Sequence, residues 1–134
     1  MAAMTAPDST TALAYIGDAV YEVHIRERIL RKTNTNADAM HKMSVRYVSA
    51  EAQAKILKKI YDELSEHEQE LVKRARNHKI SSKPKNADPV TYKLATAFEA
   101  LIGYLYMTDD KERMDEILRL AADAAEQVEG NEQS

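Results

Sequence analysis

The chain has no cysteine, which excludes disulfides and thiolate metal sites and is compatible with a reducing compartment. No apolar run approaches the roughly 20 residues that a membrane-spanning helix needs. The opening Met1-Ala2-Ala3-Met4-Thr5-Ala6-Pro7 lacks both the basic start and the long apolar stretch of a signal peptide. The expectation is a soluble, cytoplasmic protein. No strand-like alternation and no internal repeat occurs, so the regular structure is expected to be helical. Histidines are few, and His24, His41, His67 and His78 show neither the i, i+4 spacing of a metal site nor a neighbouring nucleophile.

Net positive charge is missing as well: at −3 the balance argues against a polyanionic partner. The distribution reverses that reading. From Asp109 onward there are nine acids and three bases, which leaves 16 bases against 13 acids in residues 1–108. Between Lys73 and Lys85 stand six bases (Lys73, Arg74, Arg76, Lys79, Lys83, Lys85) and no acid. A phosphate backbone responds to such a local patch, because charges farther off than about 8 to 10 Å are screened.

At 134 residues the expectation is one domain spanning 1–134, with a real core and no room for a second folded module. Residues 1–9 read as frayed and 130–134 as a tail. Ser9 or Thr10 caps a helix over about 11–32, and Asn36 a short one to about Met43. A longer helix is expected over roughly 44–64, with Val45, Val48, Ala52, Ile56, Ile60 and Leu64 on one side. Ser65-Glu66-His67-Glu68 is a capping-box pattern opening a helix to about Arg76. Asn77 to Ala87 breaks the periodicity. Asp88-Pro89, a cap followed by proline at the first helical position, restarts helix to about Met107, and a last helix covers about 110–128. The fold class is all-α, five to seven helices around one core.

Two stretches stand apart within this pattern. In Ala14-Tyr15-Ile16-Gly17-Asp18-Ala19-Val20-Tyr21-Glu22, an acid sits one or two positions off the stripe of Leu13, Ile16, Val20 and Val23. Its carboxylate is expected to be partly desolvated and therefore to need a cation, a donor or a metal. Glycine inside a helix costs about 1 kcal/mol relative to alanine, so Gly17 marks a close approach. In the helix that Asp88 opens, Leu94, Phe98, Leu101, Ile102 and Leu105 form an apolar face, and Tyr92, Thr96, Glu99, Gly103 and Tyr106 a neighbouring stripe. Only three glycines occur in the chain, and two of them lie beside these acids. Two helices crossing closely with converging carboxylates would explain the coincidence. Such acids repel unless a cation lies between them, and all-oxygen ligation suits a hard ion such as Mg²⁺.

Tyr15-Ile16-Gly17-Asp18-Ala19-Val20 resembles the helical signature of the ribonuclease III family, and Ala97-Phe98-Glu99-Ala100-Leu101-Ile102-Gly103 resembles its second signature. The similarity is nearer still to the compact Mini-ribonuclease III branch, which lacks a double-stranded RNA-binding domain. It extends from Leu13 to Met107 through Val48-Ser49-Ala50, Arg74-Ala75-Arg76-Asn77 and Lys83-Pro84-Lys85-Asn86. The resemblance implies an endonuclease-domain-like helical homodimer with an RNA valley across two subunits. Asp18 and Glu99 would be catalytic metal ligands for Mg²⁺, each site cutting one strand of double-stranded RNA. The branch is associated with maturing the ends of precursor large-subunit (23S) ribosomal RNA, and whether a ribosomal protein assists stays open. Longer family members carry two further acids where this chain has Ala14 and Thr96. The compact branch shares both losses, leaving two carboxylates per site.

Other candidates keep simpler readings. Glu22 is expected to pair with Arg26, with a role as outer metal ligand second to that. Met40 and Met43 read as core or dimer filler, and Lys55, Lys58 and Lys59 as a solvated face. The acidic last helix is expected to cover the core away from RNA. The six bases of residues 73–85 would bind RNA. Lysine and arginine without stacking aromatics suit a duplex better than a single strand. The main rival reading is a non-catalytic duplex-RNA-binding protein of the same fold, suggested by the two missing acids; a helical scaffold that touches no nucleic acid is a third.

Overall fold

The computed structural model describes residues 9–32, 36–78 and 85–133, and the side chains among these as far as residue 127. Six α-helices follow one another: α1 (Thr10–Lys32), α2 (Ala37–Val48), α3 (Ala50–Ile60), α4 (Glu66–Asn77), α5 (Pro89–Met107) and α6 (Lys111–Gln133). A single 3-10 turn, Tyr61–Glu63, links α3 to α4, and the described residues contain no strand. Among them no helix is long and apolar enough to cross a membrane.

Local chemistry accounts for most of the boundaries. Ser9 caps α1 through its hydroxyl and the Ala12 amide (3.2 Å), and the Asn36 side chain caps α2 at Ala39 (3.0 Å). The capping box at α4 is complete, with Ser65 Oγ accepting from the Glu68 amide and Glu68 reaching back to the Ser65 amide at 2.8 Å. Asp88 caps α5 ahead of Pro89. That helix ends in a Schellman arrangement: the Asp110 amide donates to the Leu105 carbonyl and the Asp109 amide to that of Tyr106, with Asp109 left-handed at φ 60°. The break expected after Met43 falls instead at Ser49: α2 runs on to Val48, and the helix expected over 44–64 is α3, Ala50–Ile60, followed by the 3-10 turn. Ser49 adopts extended backbone and uses its hydroxyl to cap a fresh helix at the Ala52 amide, so the chain turns a corner between Val48 and Ala50. The corner rotates Val45 into solvent and leaves Tyr47 buried in its place.

α5 is the central element, packed by α1, α3 and α4, while α6 closes over α3 and α5. Its buried residues (Leu94, Ala97, Phe98, Ala100, Leu101, Ile102 and Leu105 among them) point in nearly every direction, as a helix surrounded by neighbours requires. Tyr21 fastens α1 to it, its ring edge-on to Phe98 at 5.0 Å and its hydroxyl donating to the Tyr47 carbonyl at 2.9 Å. Met40 and Met43 fill space against the core. The acidic α6 covers the core through Ile117, Leu118, Ala121 and Ala122. Two ion-pair groups hold it there: Arg28 and Lys32 of α1 on Glu126, and Arg113 on Glu68 of α4.

Candidate active site

The α1–α5 crossing is the most extensive packing in the fold, and two glycines make it possible. A Cβ on Gly17 would lie 1.8 Å from the Glu99 carbonyl oxygen, and one on Gly103 would lie 1.9 Å from the Leu13 carbonyl oxygen. Each glycine therefore rests on the backbone of the opposite helix. Any larger residue would prise the helices apart. With Gly17 seated against Glu99, the next residue of α1, Asp18, comes beside the Glu99 side chain. The two carboxyl groups are close enough for Asp18 to oppose ionisation of Glu99.

Desolvation is divided unequally across this pair. Asp18 is exposed, contrary to its expected partial burial, because Gly17 and not Asp18 occupies the contact line with α5. Glu99 is the half-buried partner. Burial first, and the neighbouring Asp18 second, push its carboxyl up to about 8. Among the described residues neither carboxylate is in an ion pair with a lysine or arginine.

A third side chain, to which no sequence motif drew attention, completes the arrangement. Gln53 of α3 is 2% exposed; its Nε2 donates to the Val48 carbonyl at 3.1 Å, and its amide lies near enough to Glu99 to favour the charged carboxylate. A signal was present: Gln53 occupies the buried phase of α3 with Ile56, Leu57 and Ile60, a polar residue on an apolar stripe.

Where longer family members carry acids, Ala14 is buried and the Thr96 hydroxyl donates back to the Tyr92 carbonyl at 2.9 Å. Glu22 pairs with Arg26 at 3.3 Å, as expected. No group of three or more acids or histidines that could hold an ion occurs among the described residues, and the sequence-predicted candidate remains the Asp18–Glu99 pair. The pair fits a hard cation: its donors are all oxygen, and positive charge between the acids would offset the burial and the repulsion that raise Glu99. Lys73, Arg74 and Arg76 are exposed on the last turns of α4, and Lys85 is exposed beyond it; Lys79 and Lys83 lie outside the described residues.

Residues 11–110 match the family model of the ribonuclease III domain, and the chain belongs to that family of metal-dependent endoribonucleases. Within it the similarity is to Mini-ribonuclease 3. The protein of that name from Symbiobacterium thermophilum is 46% identical over 123 residues, 92% of this chain and 93% of that one. Its counterpart from a Thermoanaerobacter species is 45% identical over 89% of this chain and 84% of that one. A crystal structure of a Fusobacterium nucleatum protein superposes with a TM-score of 0.77 at 34% identity, covering 87% of this chain and 93% of the other.

Proposed function

We propose that this chain is a cytoplasmic, Mg²⁺-dependent endoribonuclease that cleaves double-stranded RNA as a homodimer, its helices forming one catalytic domain. We further propose that its substrate is a stem flanking precursor 23S ribosomal RNA. The observation that carries the reading is the convergence of Asp18 and Glu99 across a glycine-lined helix crossing, with no base between them among the described residues. The two acids would hold the ion. When bound, it supplies an activated water and charge stabilisation for the phosphodiester. The chain's own contribution is to bring two carboxyl groups side by side across the helix crossing, one on the solvent side and one half-buried. With two protein carboxylates, the rest of the coordination shell falls to water and RNA phosphate oxygens, so metal binding is expected to be tighter with RNA than without. Lys73, Arg74, Arg76, Lys79, Lys83 and Lys85 would grip the backbone of the duplex.

Support for the homodimer comes from α1. Tyr15 (84% exposed), Ala19, Val23 (58%) and Leu30 (54%) form an apolar stripe on its outer surface, running alongside Asp18. Pairing two such stripes would bury them and place two sites on one assembly.

The test is incubation of a long RNA duplex and Mg²⁺ with the wild type and with Asp18→Asn. Cleavage by the wild type alone is expected, and cleavage that survives the substitution would overturn the site. Mapping 23S ribosomal RNA ends in cells lacking the protein tests the substrate, with unaltered ends as the contrary result.

A further inference from the structure

Gln53 is a neutral, buried amide on the apolar stripe of α3, among Ile56, Leu57 and Ile60. Its Nε2 donates to the Val48 carbonyl at the α2–α3 corner, and the same amide group faces Glu99, whose charged form it favours. Its Oε1 has no partner. A buried acceptor without a donor costs about 1 to 3 kcal/mol, so the fold carries a penalty to keep the amide in this orientation. The flipped amide would be worse still, because Oε1 would then face two acceptors, a carbonyl and a carboxylate. The amide is thus locked with its N–H toward Glu99, and the lock is attached to the α2–α3 corner that Ser49 creates.

Resting on the reading of Asp18 and Glu99 as metal-holding acids, we propose that Gln53 is a positioning residue for the reaction, fixing the direction in which the Glu99 carboxylate presents its oxygens to the ion. A carboxylate on a helix has three rotatable bonds. A donor group held beside it removes much of that freedom. Groups that orient metal ligands in this way are commonly worth about 10- to 100-fold in metal affinity or activity.

The test uses Mn²⁺ as a spectroscopic stand-in for the native ion. Gln53→Met keeps length and volume and removes both donors. Expected are Mn²⁺ affinity weaker by about 10-fold, measured by electron paramagnetic resonance on the full chain, and kcat on duplex RNA lower by about 10- to 100-fold with KM unchanged. In a Glu99→Gln background the same substitution should cause no further loss of Mn²⁺ affinity, since the residue acts through Glu99. If Gln53→Met does not fold, Gln53→Asn retains an amide one methylene short of Glu99 and is expected to weaken Mn²⁺ binding in the same way. A lower melting temperature with unchanged Mn²⁺ affinity and unchanged kcat per folded molecule would overturn the inference and assign Gln53 to packing alone. If Glu99→Gln itself leaves Mn²⁺ binding intact, the site reading fails. If Glu99→Gln abolishes binding and Gln53→Met does not weaken it, only the positioning role fails.

Discussion

Two glutamates, one on α4 and one on α5, are treated by the same fold in opposite ways. Glu68, its side chain 7% exposed, accepts from Arg113 Nε at 2.9 Å, from Arg113 Nη2 at 2.8 Å and from the Ser65 amide at 2.8 Å. Its pKa is lowered, chiefly by the Arg113 hydrogen bonds, against the contrary pull of burial. Glu99 is withdrawn from water too, yet its neighbours are another acid and a neutral amide, and its pKa rises to about 8. An acid with matched partners fastens helices together. An acid left in want of a cation works against folding, and under the proposed function the missing charge arrives with the metal ion. Changes in the two regions should therefore have opposite signs.

The largest effect is expected where the comparison is broken at its base. Gly17→Ala would force a methyl group into the Glu99 carbonyl, and backbone cannot yield as a flexible side chain can. A stability loss of about 3 kcal/mol or more in urea denaturation is expected, together with loss of cleavage, because the crossing that brings the acids together would open. Near-normal stability and activity would show that the close approach is dispensable.

Next come the acids themselves. Glu99→Gln, like Asp18→Asn, is expected to lower cleavage by about 10²-fold or more while raising the melting temperature of the metal-free protein. Glu68→Gln should do the reverse: stability falls by about 2 to 3 kcal/mol, discounted for the partial exposure of Arg113, and activity per folded molecule stays constant. Parallel calorimetry and single-turnover cleavage would expose any departure from this crossed pattern.

The pH dependence sharpens the contrast at a smaller scale. Glu99 titrates higher folded than unfolded, so its contribution is complete below its ordinary value of 4.5 and is lost as pH rises toward about 8. A tenfold change in acidity constant between the folded and unfolded chain is worth about 1.4 kcal/mol, so the loss amounts to a few kcal/mol between acid and mildly alkaline solution. Glu68 titrates lower folded than unfolded; its contribution is present above the ordinary glutamate range and disappears as pH falls through the lowered value. Metal-free melting curves should accordingly lose an alkaline decline in Glu99→Gln and an acid decline in Glu68→Gln. Mg²⁺ should restore stability at pH 8 in the wild type only. A melting temperature flat from pH 5 to 8 in the metal-free wild type would show that Glu99 is not held against its charged form.

How much of this could be read in the chain divides along the same line. Features that depend on neighbours within one turn were legible: the Ser65–Glu68 box, the Asp88–Pro89 start and the Asn36 cap stand where the spelling indicates. So were Gly17 and Gly103, because a glycine kept inside an apolar helix, against its poor helix propensity, marks a place where another backbone comes close. The break at Ser49 was hidden, since its flanks keep helical spacing on both sides and serine alone does not end a helix. Partners distant along the chain were hidden too. Nothing near Glu68 announces Arg113, and nothing near Glu99 announces Gln53. Helical spacing also groups Val23 with Leu13, Ile16 and Val20, yet Leu13 is buried and Val23 is exposed, because period alone does not say where the edge of a buried face falls.

The smallest expected effect concerns α4, whose two ends repeat the contrast in cationic form. Its first turn holds Glu68, fixed by an arginine from another helix; its last turns carry Lys73, Arg74 and Arg76, exposed to solvent. Bases at a helix C-terminus suit the macrodipole, but at exposed sites that is worth under about 1 kcal/mol. Removing them should leave the fold almost untouched. If they meet RNA phosphates, each lost contact lowers the slope of log affinity against log salt by about 0.9, whatever the RNA sequence. Arg74→Ala with Arg76→Ala, made in the Asp18→Asn background so that the duplex stays intact, should therefore reduce the slope by about 2 in filter binding over several salt concentrations. Weaker binding with an unchanged slope would assign these arginines to something other than phosphate contact. Unchanged binding would move the RNA surface away from the end of α4.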